Sequence, residues 1–187
     1  MKSVVLICAL LLSTMGLAQT QAPSKPAETA PAANPADVKS IDSITNALYE
    51  VISGPAGQKR DWNRFRSLFW KTGKLVPIVA KPDKSGYAPR EMTPEEFVAH
   101  VDPIVEKEPF FENGVANRVE QWTRIANVFS TYESRRAKGE KPFARGINTI
   151  QMFNDGQRWW ITSIMWQQES EQDPLPARML KAPSFDD

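Results

Sequence analysis

The sequence predicts an α+β domain in which helices come first and pack on one face of a strongly curved antiparallel sheet drawn from the second half of the chain. Three observations carry this. Apolar residues recur at three- and four-residue steps between residues 37 and 105, the period of a helix. From Phe110 the pattern changes to runs of β-branched and aromatic types, which fit a pleated surface. The longest of these, residues 143–168, holds two runs joined at Asn154-Asp155-Gly156, where glycine supplies the positive φ of a tight hairpin.

Residues 1–18 have the form of a secretory signal. Lys2 gives a positive start, Val4 to Leu12 an apolar run too short for a comfortable membrane span, and Gly16-Leu17-Ala18 a small-x-small cleavage pattern. Thr20-Gln21-Ala22 offers a second cut of similar shape. Cys8, the only cysteine, would leave with the signal, so the mature chain is expected to have no disulfide, thiol nucleophile or thiolate metal site. A free periplasmic or secreted product is expected. Residues 19–36 are rich in Ala, Pro and small polar types and read as a tether. The globular domain is expected over 37–170, with a proline-broken tail over 171–187 in which Leu175, Met179 and Leu180 can dock. With 23 basic and 22 acidic residues, no field favours nucleic acid or an anionic membrane.

The elements follow in order. Ile41, Ile44, Leu48, Val51 and Ile52 form the apolar face of a first helix that starts near Asp37 or Ser40 and ends at Gly54-Pro55, with Gly54 as a left-handed cap. Asp61 caps a short second helix whose Trp62, Phe65, Leu68 and Phe69 point inward; Gly73 breaks it. Lys74 to Ala80 is a strand, and Pro77 within it argues for an edge or a bulge. A loop follows, with a brief strand around Tyr87. Thr93-Pro94-Glu95-Glu96 is a capping box with proline at the first helical position, and Phe97, Val101, Ile104, Val105 and Glu108 make the stripe of the third helix. Residues 110–121 and 122–134 are two strands with Gly114 as a bulge and a turn near Gln121-Trp122; residues 134–142 lead into the final hairpin. Strict alternation on the last strand puts Trp159, Ile161, Ser163 and Met165 on one face and Trp160, Thr162, Ile164 and Trp166 on the other. Both faces are largely apolar, so each needs a covering: helices on one side, a second subunit or the 175–180 tail on the other.

DWNRFRSLFWKTGKLVPI, the capped helix after it and RGINTIQMFNDGQRWWITSIMW together resemble secreted bacterial members of the nuclear transport factor 2-like (cystatin-like, SnoaL-like) superfamily, over roughly residues 37–170. The resemblance implies a conical half-barrel with about three helices on its concave side, a pocket between helices and sheet, and frequent homodimers through the sheet. Its members include isomerases, dehydratases, hydrolases and cyclases, but also adaptors and dimerisation domains, so fold alone does not choose a function.

His100, the only histidine, flanks the stripe of the third helix and is the candidate general base, with Tyr132 as a candidate oxyanion donor. Asp102 points elsewhere on the helix and cannot orient His100. The pocket carboxylate pairs of the family's enzymes do not transfer to this sequence, whose strands supply Glu112, Glu120 and Glu133. Arg118, Arg145 and Asn148 are candidate ligand donors, with Trp159 and Ser163 as further lining, although alternation puts Arg145 opposite Asn148 unless a bulge intervenes. One histidine and no mature cysteine predict no zinc site, and no cofactor is expected. The leading expectation is a pocket protein that binds a small apolar or amphipathic molecule and dimerises through its sheet; the alternatives are an enzyme acting through His100 and a non-catalytic interaction module.

Overall fold

The computed structural model describes residues 31–181. The expected signal, most of the tether and residues 182–187 lie outside the described residues.

The helical half contains one more element than the periodicity predicts. Asn34 caps a four-residue helix α1 (Pro35–Val38), the chain breaks at Lys39-Ser40, and Ser40 caps α2 (Ile41–Ile52) by accepting from the Ser43 amide. Arg64 holds the break closed, donating to both oxygens of buried Asp37 at 2.8 and 2.9 Å. The end of α2 is not a left-handed cap. Gly54 is nearly extended, with φ +159°, and pairs with Phe110. Glycine is required there because an added Cβ would lie 2.7 Å from the Arg60 guanidinium, which donates to the carbonyls of Ile52, Gly54, Pro55 and Gln58. Asp61 caps α3 (Trp62–Ser67) as predicted, and Phe65, Leu68 and Phe69 are buried. The capping box of α4 (Pro94–Val105) is formed in both directions, Glu96 to the Thr93 amide and Thr93 to the Glu96 amide.

The strands are β1 (Phe69–Ala80), β2 (Tyr87–Pro89), β3 (Phe111–Trp122), β4 (Ile125–Arg135), β5 (Ala144–Asn154) and β6 (Trp159–Gln168), ordered β2-β1-β6-β5-β4-β3 in a curved, unclosed sheet. β1 and β6 run parallel; every other pairing is antiparallel. β1 begins five residues earlier than the Lys74 start expected, with an irregular stretch between Phe69 and Lys74, and Pro77 sits beside the short outermost strand β2. Helices cover the concave face. There Ile44, Leu48, Phe65, Val128, Ile150, Ile161 and Ile164 form the core.

Two bulges set which side chains face it. Val115 is the extra residue in β3, next to the expected glycine, between the Gly114–Tyr132 and Ala116–Thr131 pairs. Thr162 is the extra residue in β6, between Gln151–Ser163 and Met152–Ile161. The second bulge corrects the alternation read from sequence: Trp159, Ile161, Ile164 and Trp166 pack on the concave core, while Trp160, Ser163 and Met165 belong to the convex face. Trp160 there makes edge-on contact with Trp70, which does the same with Phe153. The tail covers part of this convex face, as expected for Met179 and Leu180. A 3-10 turn (Ala177–Leu180) lies over β3 and β4, with Thr131 hydrogen-bonded to the Met179 carbonyl and fully buried beneath it.

The β5–β6 turn is tied by Asp155, whose carboxylate accepts from the Gln157 and Arg158 amides and from the Trp160 indole at 2.8 Å; these bonds hold it below the usual carboxylate range. The β3–β4 turn is less suited to its sequence. Thr123 has φ +46°, a left-handed conformation disfavoured for a β-branched residue. Thr123→Asn should therefore stabilise the protein by about 1 kcal/mol, seen as a higher urea midpoint at unchanged m value. No gain would mean that the turn relaxes around threonine in solution.

Candidate functional site

Between α2, α3, α4 and the concave sheet lies a cavity of about 290 Å³. Its walls are apolar: Leu48 and Ile52 from α2, Phe65 from α3, Leu75 from β1, and Ile164 and Trp166 from β6. The predicted stripe of the third helix, Phe97, Val101, Ile104, Val105 and Glu108, lines it in full. Glu108, Arg136 and Phe143 sit at the mouth, where Arg136 pairs with Glu108 at 2.7 Å and lies 4.4 Å over the Phe143 ring.

Polar groups gather at the β3–β5 end. Asn148 donates to the Tyr49 hydroxyl at 3.1 Å, and Ser130 donates to Asn117 Oδ1 at 2.6 Å. Because the single Ser130 proton is used on Asn117, the 2.6 Å contact between Tyr49 and Ser130 has Tyr49 as donor. Burial pushes the Tyr49 phenol up to about 12, so it stays neutral. Beside this chain Ser134 donates to Glu112 Oε2 at 2.7 Å. Burial pushes the Glu112 carboxyl up to about 7, against the opposing hydrogen bonds from Ser134 and Asn148. Its backbone is fixed from α2, where Ser53 Oγ accepts from the Glu112 amide at 2.9 Å. Tyr132 stands opposite Gly146, where an added Cβ would lie 2.6 Å from the phenol oxygen; the glycine makes room for the ring. Burial, then the charge of Glu112, raises the Tyr132 phenol above its ordinary value. Tyr132 borders the cavity.

The structure thus brings together two of the residues singled out from sequence, Tyr132 and Asn148. The others lie elsewhere. His100 is exposed and does not line the cavity, because it stands about 80° around the helix from the centre of the stripe. Asp102, already excluded as its partner, accepts from the Trp62 indole at 2.7 Å. Arg145 is on the convex face and pairs with Glu169 at 2.6 Å; β5 has no bulge between Arg145 and Asn148, so the two point oppositely. Arg118 is also convex and donates to the carbonyls of Arg178 and Lys181, clamping the tail. Trp159 is core, 6% exposed and away from the cavity. Ser163 is turned outward by the Thr162 bulge and contacts Gln151 at 3.0 Å.

Glu112, Tyr49 and Ser134 complete the cluster and were not singled out as site residues from the sequence. Tyr49 carries a readable signal, since it is a hydroxyl set beside Leu48 and Ile52 on the apolar face of α2. Glu112 and Ser134 become a pair only once β3 and β4 are in register. Among the described residues no group of three His, Cys, Asp or Glu side chains could hold a metal ion, and no helix is long and apolar enough to cross a membrane.

No family model and no curated protein matches the sequence. Solved structures do match in fold. A Nostoc punctiforme protein of unknown function with a cystatin-like fold superimposes at TM-score 0.53 and 10% identity, over 70% of this chain and 90% of its own. The β subunit of a putative aromatic-ring-hydroxylating dioxygenase from Novosphingobium aromaticivorans gives 0.53 at 13% identity, over 78% and 95%. A hexachlorocyclohexane dehydrochlorinase from Novosphingobium barchaimii gives 0.50 at 14% identity, over 71% and 86%. The chain therefore has a cystatin-like fold, as the resemblance read from the sequence implied.

Proposed function

We propose that this protein binds a small, largely apolar molecule carrying one polar end in the cavity between α2–α4 and the concave sheet. The observation that carries this reading is the division of the cavity into apolar walls and an inner polar end made of Tyr49, Glu112, Tyr132, Ser134 and Asn148. The test is titration with the apolar fluorophore anilinonaphthalene sulfonate. One saturable site is expected, and Val101→Trp, which fills the cavity from α4, should abolish it while leaving the circular dichroism unchanged. Equal binding by the variant would place the probe on the surface and overturn the proposal. The enzyme reading through His100 gains no support, since that side chain faces solvent.

A second reading concerns self-association through the sheet. It is supported by apolar side chains left exposed on the convex face beyond the tail: Trp122 at 74%, Ile125 at 58% and Met165 at 44%. Sedimentation should give a dimer, and a monomer at high micromolar concentration would refute it. Export follows from residues 1–18 as read above, and intact-mass measurement of the protein recovered outside the cytoplasm should show their loss.

A further inference from the structure

We infer that the molecule taken by the cavity is a hydrophobic amine, held as its ammonium ion with Glu112 as counter-ion and aromatic rings as walls. This rests on the small-molecule reading above and names the class of ligand.

The charges around the cavity decide it. Glu108, Glu112 and Arg136 are the charged residues of its lining. Arg136 is engaged at the mouth by Glu108 at 2.7 Å, by the Pro109 carbonyl at 3.2 Å and by the Phe143 ring, so that pair is neutral as a unit. Glu112 has no such partner: among the described residues it enters no ion pair, and the groups that donate to it, Ser134 and Asn148, are neutral. A carboxylate or phosphate ligand at this end would meet an acid with no compensating cation. An ammonium group would supply the cation that the site lacks.

The remaining groups agree with a donor-rich, positive end. The hydroxyl of Tyr132, which lines the cavity, can accept an N–H. Rings of Tyr49, Phe65, Phe97, Phe110, Tyr132 and Trp166 line the space, and aromatic faces attract cations in a desolvated setting. In the cavity the other titratable groups around Glu112 are Tyr49 on α2 and Tyr132 on β4, both held neutral by burial, with Glu108 after α4 and Arg136 after β4 at the mouth; on its other side Glu112 borders an open cleft with Glu50 and Lys138, neither of which pairs with it. Glu112 is then the group whose charge changes near neutral pH.

Calorimetric titration of the whole chain with phenethylamine, phenethyl alcohol and phenylacetate tests this. At about pH 8 the amine should bind at least tenfold more tightly than the alcohol, with phenylacetate weakest. Between about pH 8 and about pH 6 amine affinity should fall about tenfold, because an acid of pKa about 7 goes from mostly ionised to mostly protonated. Glu112→Gln should reduce the amine to the level of the alcohol and flatten its pH profile, while retained alcohol binding reports an intact cavity. If that variant does not fold, Tyr132→Phe keeps the ring and should cost the amine severalfold and the alcohol less. Amine and alcohol binding equally, or phenylacetate binding best, would overturn the amine assignment and leave the cavity reading standing. Failure of all three probes, together with failure of the fluorophore, would overturn both.

Discussion

Phe65→Ala is expected to lower the stability of the protein by about 4 kcal/mol, the range for removing a fully buried aromatic side chain. The residue is 1% exposed on α3, and its ring centroid lies 4.9 Å from Phe69, 5.2 Å from Phe97 in a stacked arrangement and 5.8 Å from Trp62 edge-on. It joins α3 to α4 and to the start of β1. The truncation cannot be healed by collapse, because the side chain also forms part of the wall of the 290 Å³ cavity and its loss would enlarge that space. Urea unfolding should show a lowered midpoint at nearly unchanged m value. Phe65→Leu should cost less than half as much, since most of the apolar volume is kept. A loss below about 2 kcal/mol for alanine would mean that α3 is not part of the cooperative core.

The second large effect is on the pH dependence of stability. In the folded protein Glu112 titrates at about 7 instead of 4.5, so between these values the native state keeps a proton that the unfolded chain has released. Stability must then fall as pH rises through that window and level off above it. The ceiling is about 3 kcal/mol from the size of the shift. Glu112→Gln removes the titrating group, so the variant should lack this fall and should be more stable than the parent at about pH 8. Urea midpoints at about pH 5 and pH 8 decide it. Parallel profiles for parent and variant would show that the carboxyl is solvated in the folded state.

What was legible in the sequence was what is decided locally. The caps at Asp61 and Thr93 and the turn at Asp155-Gly156 are each settled within a few residues, and all three form as read. The α4 stripe is likewise a local pattern, and it faces the cavity. The departures come from pairing. The parallel β1–β6 contact joins segments about ninety residues apart, and nothing in either run states its direction. The Thr162 bulge belongs to the register between β5 and β6, so strict alternation puts Ser163 with Ile161 and Trp166 with Trp160, whereas in the structure Trp166 shares the concave face with Ile161 and Ser163 the convex face with Trp160. The site divides in the same way. Tyr132 and Asn148 were readable as residue types, a phenol and an amide set in strands, whereas Glu112 needed the knowledge that Ser134 stands across from it. His100 misled because the flank of a helical stripe can face either cavity or solvent, and here it faces solvent.

Thr162 divides β6 into two halves of opposite phase, and this makes the strand unequally sensitive to different kinds of genetic change. A substitution on the exposed side leaves the phase of its neighbours alone. Deleting Thr162 would leave every place as it is, since Ile161 and Ser163 already stand on opposite faces, but closing the bulge with Thr162 retained would exchange inside for outside along one whole half of the strand. If the Trp159–Ile161 half stayed anchored, Ile164 and Trp166 would leave the core and cavity wall for solvent, and Met165 would take the inward place. Among homologues, length changes should therefore accumulate in the β4–β5 connection and the tail and, within β6, be confined to the loss of residue 162, whose identity can also drift freely.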